Sequence, residues 1–277
     1  MSKIISVHSF RGGTGKSNTT ANLAAIYASQ KMRVGVIDTD INSPGIHVLF
    51  GLREDDMKYS LNDYLWGKCE IEKAAHDVTE NLNGKSQGGA GAIPPGGKVY
   101  LIPSSIKVGE IARILREGYD VGLLNDGFQS LVKELKLDIL LIDTHPGLNE
   151  ETLLSVAISD ALAIIMRPDQ QDYQGTGVTV EVARKLDVPL MLLIVNKTPT
   201  SFDFDEVRKR VESIYNCPVG AVLPHSDEMM ILASAGVFAL RFPNHHITQQ
   251  LHNVARLLIS GSPRGGSANR HEPFLST

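Results

Sequence analysis

The stretch Ser9-Phe10-Arg11-Gly12-Gly13-Thr14-Gly15-Lys16-Ser17 decides how this chain folds. An apolar run, Ile4–His8, leads into it, and an Ala-rich helical pattern, Lys16–Ser29, leads out. Glycines let successive backbone N–H groups turn inward around an anion, and the N-terminus of the following helix adds partial positive charge. In such a cradle Lys16 neutralises the β- and γ-phosphate oxygens of a nucleotide, while the Ser17 hydroxyl ligates Mg2+. The expected phosphate-binding set is therefore Gly12, Gly13, Thr14, Gly15, Lys16, Ser17 and Asn18. The common form of the loop, G-x-x-x-x-G-K-[ST], requires glycine at position 10, where Phe10 stands; the glycines fall at 12, 13 and 15 instead.

Outward from the loop, further apolar runs recur at Arg33–Asp38, Leu137–Asp143, Ala161–Met166 and Leu190–Asn196, with a weaker one at Val99–Ile102 ended by Pro103. Continuous Val/Ile/Leu runs without alternation fit strands covered on both faces of a parallel sheet. Helical patterns fall between them, at Lys16–Ser29, Ile106–Leu115, Leu123–Leu135, Glu150–Ile158, Gln174–Leu186 and Phe204–Tyr215. This alternation predicts an α/β fold, a doubly wound and mostly parallel sheet with helices on both faces. Asn83–Gly97 is rich in Gly and Pro and reads as a flexible surface loop. Residues 1–260 read as one domain, and residues 261–277 as a flexible tail.

Two carboxylates, Asp38 and Asp40, stand at the end of the second run, where doubly wound sheets place their ligands. The run Ile139–Asp143 also ends in a carboxylate, followed by Thr144-His145-Pro146-Gly147; an aspartate there holds Mg2+, usually through water. Asn196-Lys197 ends another run, and Val222-Leu223-Pro224-His225-Ser226-Asp227 comes later in the chain.

Taken together, the glycine spacing and these partners resemble the MinD/ParA family of P-loop ATPases, whose deviant Walker A motif reads K-G-G-x-G-K-[ST]. The resemblance spans about residues 3–260, with the motifs in the family's order. It implies ATP and Mg2+ as ligands and an ATP-dependent homodimer. The family's first lysine, which reaches the partner's nucleotide, is matched by Arg11; arginine keeps the charge and adds a planar fork of donors. Lys16, Asp40 and Arg11 are thus the implied catalytic residues, with Asp40 orienting or activating water. Ser17, Asp38 and Asp143 form the implied metal set, with Asp38 supporting the Mg2+ shell. Asn196 matches the base-reading asparagine, and Pro224 the residue that packs on the base. In the family's D-x-P-P-G segment His145 replaces the first proline, which suggests a structural or switch role for it.

The remaining composition trims the choices. A net charge of −4 tempers DNA binding without excluding a local patch, for which Arg184, Lys185, Arg208, Lys209, Arg210, Arg241, Arg256 and Arg264 are the candidates. Two isolated cysteines, Cys69 and Cys217, offer no paired motif for an iron–sulfur cluster and suit a reducing compartment. The N-terminal run lacks the features of a signal peptide, and no apolar run is long enough to span a bilayer, so a cytoplasmic location is expected. Membrane attachment through a terminal amphipathic helix is not expected, because the pattern Ile247, Leu251, Val254, Leu258 suits packing on the domain. The leading expectation is an ATP-driven switch that positions cargo and answers to a stimulating partner protein. The alternatives are a metabolic P-loop enzyme resembling dethiobiotin synthetase or cobyrinate-amidation enzymes, with a substrate pocket from residues 45–70, and a non-hydrolysing nucleotide sensor.

Overall fold

Eight strands share one sheet in the computed structural model, which describes residues 2–85, 91–232 and 234–261. In chain order they are β1 (Lys3–His8), β2 (Arg33–Asp38), β3 (His76–Asp77), β4 (Lys98–Ile102), β5 (Ile139–Asp143), β6 (Ala161–Met166), β7 (Met191–Thr198) and β8 (Val219–Pro224). The spatial order is β3-β4-β2-β5-β1-β6-β7-β8. Every pairing is parallel except that of the two-residue β3 with β4. The ends of β1, β2, β5, β7 and β8 therefore open on one edge, and the loops after them build a single crevice.

The helices are α1 (Lys16–Ser29), α2 (Leu61–Leu65), α3 (Thr79–Lys85), α4 (Val108–Glu117), α5 (Gly122–Glu134), α6 (Glu150–Ala157), α7 (Gln170–Lys185), α8 (Phe204–Tyr215), α9 (Asp227–Leu232), α10 (Phe238–Arg241) and α11 (His246–Ser260). One face of the sheet packs on α1, α10 and α11, through Leu23, Ile26, Tyr27, Phe238, Leu251 and Val254. The other is covered by α5 with Leu124, Phe128 and Leu131, and by α7 and α8 with Val180, Val207 and Val211. Alternate residues of a strand serve opposite faces: Ile5 and Val7 join the first layer, Ile4 the second. Because both layers are apolar, β5 and β6 are buried throughout, as continuous apolar runs require.

Helix α1 is buried on every side from Thr19 to Ala28, which its alanines permit by letting neighbours approach closely. Its polar groups are paired inside the core: Asn22 accepts from the Ala239 N–H at 2.7 Å, and the Tyr27 hydroxyl donates to the Ala255 carbonyl at 2.9 Å. The pattern Ile247, Leu251, Val254, Leu258 is the buried face of α11. No helix among the described residues is long and apolar enough to cross a membrane.

Three sequence expectations shift. Helix α7 begins at Gln170 rather than Gln174, because the Asp169 side chain caps it by accepting from the Asp172 N–H at 3.0 Å. Strand β8 was not among the apolar runs, since Gly220 interrupts it and Pro224 ends it. The segment Asn83–Gly97 is not uniformly loose: Ile93 is buried and its N–H donates to the Asn83 side chain at 2.9 Å, while a Cβ on Gly97 would meet the Ala28 carbonyl oxygen at 2.0 Å. Residues 86–90 of that segment, and the expected tail from residue 262 onward, lie outside the described residues.

Candidate functional site

The loop between β1 and α1 turns on two glycines in left-handed conformation, Gly13 at φ 77° and Gly15 at φ 99°, and Gly15 caps α1. Phe10, in place of the common motif's first glycine, lays its ring against α7: a Cβ on Gly175 would come within 2.2 Å of Phe10 Cδ1. Lys16 is buried and donates to Asp143 Oδ1 at 2.8 Å. The Thr20 hydroxyl, one turn further along α1, donates to the same oxygen at 3.0 Å. To reach a phosphate, Lys16 exchanges a carboxylate oxygen for phosphate oxygens, and Thr20 keeps a hydrogen bond on Asp143.

Asp38 and Asp143 lie opposite each other in the β2–β5 ladder, both about 1% exposed. Burial, and then the charge of Asp143, push the Asp38 carboxyl well above the usual carboxylate range, against the pull of Lys16. Asp38 also receives backbone N–H groups from Asp40 at 3.0 Å and Gly45 at 3.4 Å. Two adjacent buried carboxylates, with the Ser17 hydroxyl on the wall of the neighbouring cavity, are an all-oxygen donor set of the kind a hard divalent cation such as Mg2+ takes. The residues therefore fit the ion that the sequence reading implies.

Asp40 lies one step outward, 14% exposed, and its Oδ1 accepts from His145 Nδ1 at 2.6 Å and from the Ser43 N–H at 3.1 Å. Both side chains line a cavity of about 400 Å3 with Gly12, Gly13, Lys16 and Ser17. Beneath it, His8 is fully buried beside Thr144, and burial together with the charges of Lys16 and His145 lowers its pKa to about 3.

A second cavity, about 430 Å3, adjoins the first through Gly15, Asn18 and Lys197. Pro224, Leu223, Met229 and Leu251 supply its apolar wall, and Asn196, Asn22 and Ser226 its polar one. Asn196 donates from Nδ2 to the Thr14 carbonyl at 2.8 Å, and Lys197 donates from Nζ to the Gly13 carbonyl at 2.8 Å. Two consecutive residues of β7 thus hold two consecutive residues of the loop. Asn196 and Pro224 both line this second cavity, beside the loop.

Arg11 points away from both cavities. It pairs with Asp172 at 3.5 Å and Asp169 at 3.8 Å, carboxylates that Arg167 also holds, with Arg167 Nε 3.1 Å from Asp172. The arginines among the basic candidates on α7 and α8 are also engaged in the fold. Arg184 donates to the carbonyls of Tyr215 and Asn216, Arg208 donates to the Val219 carbonyl, and Arg210 lies over the Tyr173 ring. Arg264 lies outside the described residues. Sequence reasoning missed Thr20, Lys197, Met229, Asp169 and Asp172; of these, the Asp169-x-x-Asp172 spacing of a helix cap was the readable signal.

A strand–loop–helix cradle with a buried lysine, strand-end carboxylates beside it and an adjoining base-sized cavity defines a P-loop nucleotide-binding protein. The chain belongs to the AAA domain family, whose model matches residues 2–188, and its fold is that of the MinD and ParA ATPases. It is 25% identical over 277 residues to an uncharacterized ATP-binding protein of Methanocaldococcus jannaschii, covering 100% of this chain and 95% of that protein. It is 27% identical over 197 residues to an iron-sulfur cluster carrier protein of Pyrococcus furiosus, covering 69% of this chain and 60% of that one. Among solved structures, the septum site-determining protein MinD of Pyrococcus horikoshii, complexed with Mg-ADP, superposes with a TM-score of 0.74 at 20% identity, over 94% of this chain and 97% of that one.

Proposed function

We propose that the protein binds ATP with Mg2+ in the two adjoining cavities, dimerises on it, and hydrolyses it slowly as a switch in the positioning or partitioning of intracellular cargo. The observation that carries this reading is the convergence of Lys16, Asp38, Asp40 and Asp143 on one deviant phosphate loop. In it, Lys16 and the loop amides of Gly12, Gly13, Thr14 and Gly15 hold the phosphates, and Ser17, Asp38 and Asp143 hold the cation. Asp40 orients water, and Arg11 crosses to the partner's nucleotide once it leaves Asp172. A bound Mg2+ supplies charge neutralisation at the β- and γ-phosphates. The Mg-ADP complex of the structurally similar MinD supports the choice of ligands. Hydrolysis that separates the protomers is the expected reset, with a partner protein as its stimulant.

The alternative of a small-molecule kinase gains nothing from the segment it would need. The cavity lined by Glu54, Tyr59, Ser60 and Lys107 holds about 20 Å3, less than any substrate. A cluster carrier gains nothing from the cysteines, since Cys217 is buried with its thiol toward the Met191 carbonyl and Cys69 lies on a different segment. Molar mass by light scattering with ATP and Mg2+ tests the switch. The Asp40→Ala variant is expected to accumulate as a dimer and Lys16→Ala to remain monomeric. An Asp40→Ala protein that stays monomeric with ATP overturns the reading.

A further inference from the structure

Where the MinD/ParA pattern D-x-P-P-G has its first proline, this chain has His145, and a proline side chain has no donor to offer. The substitution creates a contact that the pattern lacks, His145 Nδ1 to Asp40 Oδ1 at 2.6 Å, between the loop after β2 and the loop after β5. The geometry points to His145 as a positioning residue for hydrolysis, one that fixes the Asp40 carboxylate and yokes the two loops so that they move together. This inference rests on the reading of Asp40 given above.

Three observations carry it. First, the ring stands on a fixed backbone. The His145 carbonyl accepts from the Thr152 hydroxyl at 3.2 Å, Thr152 is held by the Asn149 cap at 2.9 Å, and the Gly147 N–H donates to the Ser9 carbonyl at 3.3 Å. Second, both contacts to the Asp40 side chain fall on Oδ1, from His145 and from the Ser43 N–H. One oxygen is pinned twice, so the carboxylate plane is set and Oδ2 is the oxygen left to address a water. Third, Asp40 and His145 line the same cavity as Lys16 and Ser17, so whatever fixes Asp40 fixes it relative to the phosphates. A carboxylate on a loop otherwise rotates freely, and orientation is a large part of what a phosphoryl-transfer site contributes. His145 does this without touching the reacting atoms.

The test uses the whole chain with ATP and Mg2+, and separates kcat from KM. Asparagine places its amide nitrogen at about the same reach as Nδ1, whereas glutamine places it near that of Nε2. His145→Ala is expected to lower kcat roughly ten- to a hundredfold, by analogy with small misplacements of a catalytic group, while KM stays nearly constant. His145→Asn restores most of kcat, and His145→Gln does not. His145→Ala also accumulates the ATP-bound dimer on light scattering, as Asp40→Ala does. A raised KM with unchanged kcat, or failure of asparagine to rescue in a protein with wild-type thermal unfolding, overturns the proposal. If Asp40→Ala itself turns over ATP normally, the reading of Asp40 has failed; if Asp40→Ala is silent and His145→Ala is as active as the wild type, only the role of His145 has failed.

Discussion

At the phosphate end of the site, Lys16, Asp38 and Asp143 lie between 1% and 6% exposed in one buried cluster of charged side chains, whereas the base end is an adjoining cavity of about 430 Å3 walled by Leu223, Pro224, Met229 and Leu251. Charges taken out of water survive only by holding one another, so the groups at the phosphate end are interdependent and stability and binding are the same problem there. The residues at the base end satisfy themselves on the loop or on apolar neighbours, so under the proposed reading each is expected to contribute to binding nearly alone. The two ends meet at Gly15, where a Cβ would lie 2.4 Å from Asn196 Nδ2.

The contrast breaks most directly at Lys16. Replacing it with alanine strips Asp143 of its cation and leaves Thr20 as a donor to it. We expect ATP affinity to fall by on the order of a hundredfold and unfolding stability by about 3 kcal/mol, since a buried pair loses one partner. Titration calorimetry and denaturant unfolding read the two; a loss of affinity with unchanged stability would end the claim that the phosphate end is interlocked.

His8 offers a second test at the same end. Its folded pKa, lowered to about 3, lies below the ordinary value of 6.5, so the unfolded chain takes up a proton that the folded chain refuses. Its contribution to stability is therefore present above pH 6.5 and is lost as the pH falls from there toward 3. The slope from this one proton is at most about 1.4 kcal/mol per pH unit. Denaturant midpoints between pH 6.5 and 4.5 are expected to decline, and His8→Gln to flatten that decline; an identical slope in the variant refutes the assignment.

The smallest effect belongs to the base end. Asn196→Ala removes two hydrogen bonds, one to the Thr14 carbonyl and one from the Lys197 N–H, together with the amide on the wall of the base cavity. A net loss of about 1 kcal/mol per hydrogen bond predicts a several-fold weaker ATP affinity, by calorimetry, and a loss of unfolding stability smaller than that of Lys16→Ala. A stability loss as large as that of Lys16→Ala would erase the distinction between the two ends.

The same contrast explains what the sequence made legible. The phosphate end is written in contiguous words: glycines at 12, 13 and 15, Lys16 after them, and carboxylates at the ends of apolar runs. The bounds of α1 and α8 coincide with the sequence reading because their apolar and polar patterns are local. The base end is assembled from β7, β8, α9, α1 and α11, and no local pattern links Asn22 to Met229 or Leu251. Thr20 was missed because its role depends on the approach of β5 to α1. Arg11 was read by motif position, and its carboxylate partners on α7 come from a distant part of the chain.

The double load on Asp172 has a kinetic consequence. A buried carboxylate normally detains its cation, because departure would leave an uncompensated charge in a low dielectric. Asp172, 2% exposed, also holds the Arg167 guanidinium, and accepts from the Arg167 N–H at 2.8 Å, so the departure of Arg11 alone does not leave it without a cation. Arg11 is 40% exposed, so its release costs at most about 1 kcal/mol, the scale of a surface pair. Phe10 meanwhile stays seated on Gly175, so the arginine is a hinged arm on an anchored base. Once released from Asp172, such an arm is expected to swing on the timescale of an exposed side chain while the cradle behind it keeps its shape.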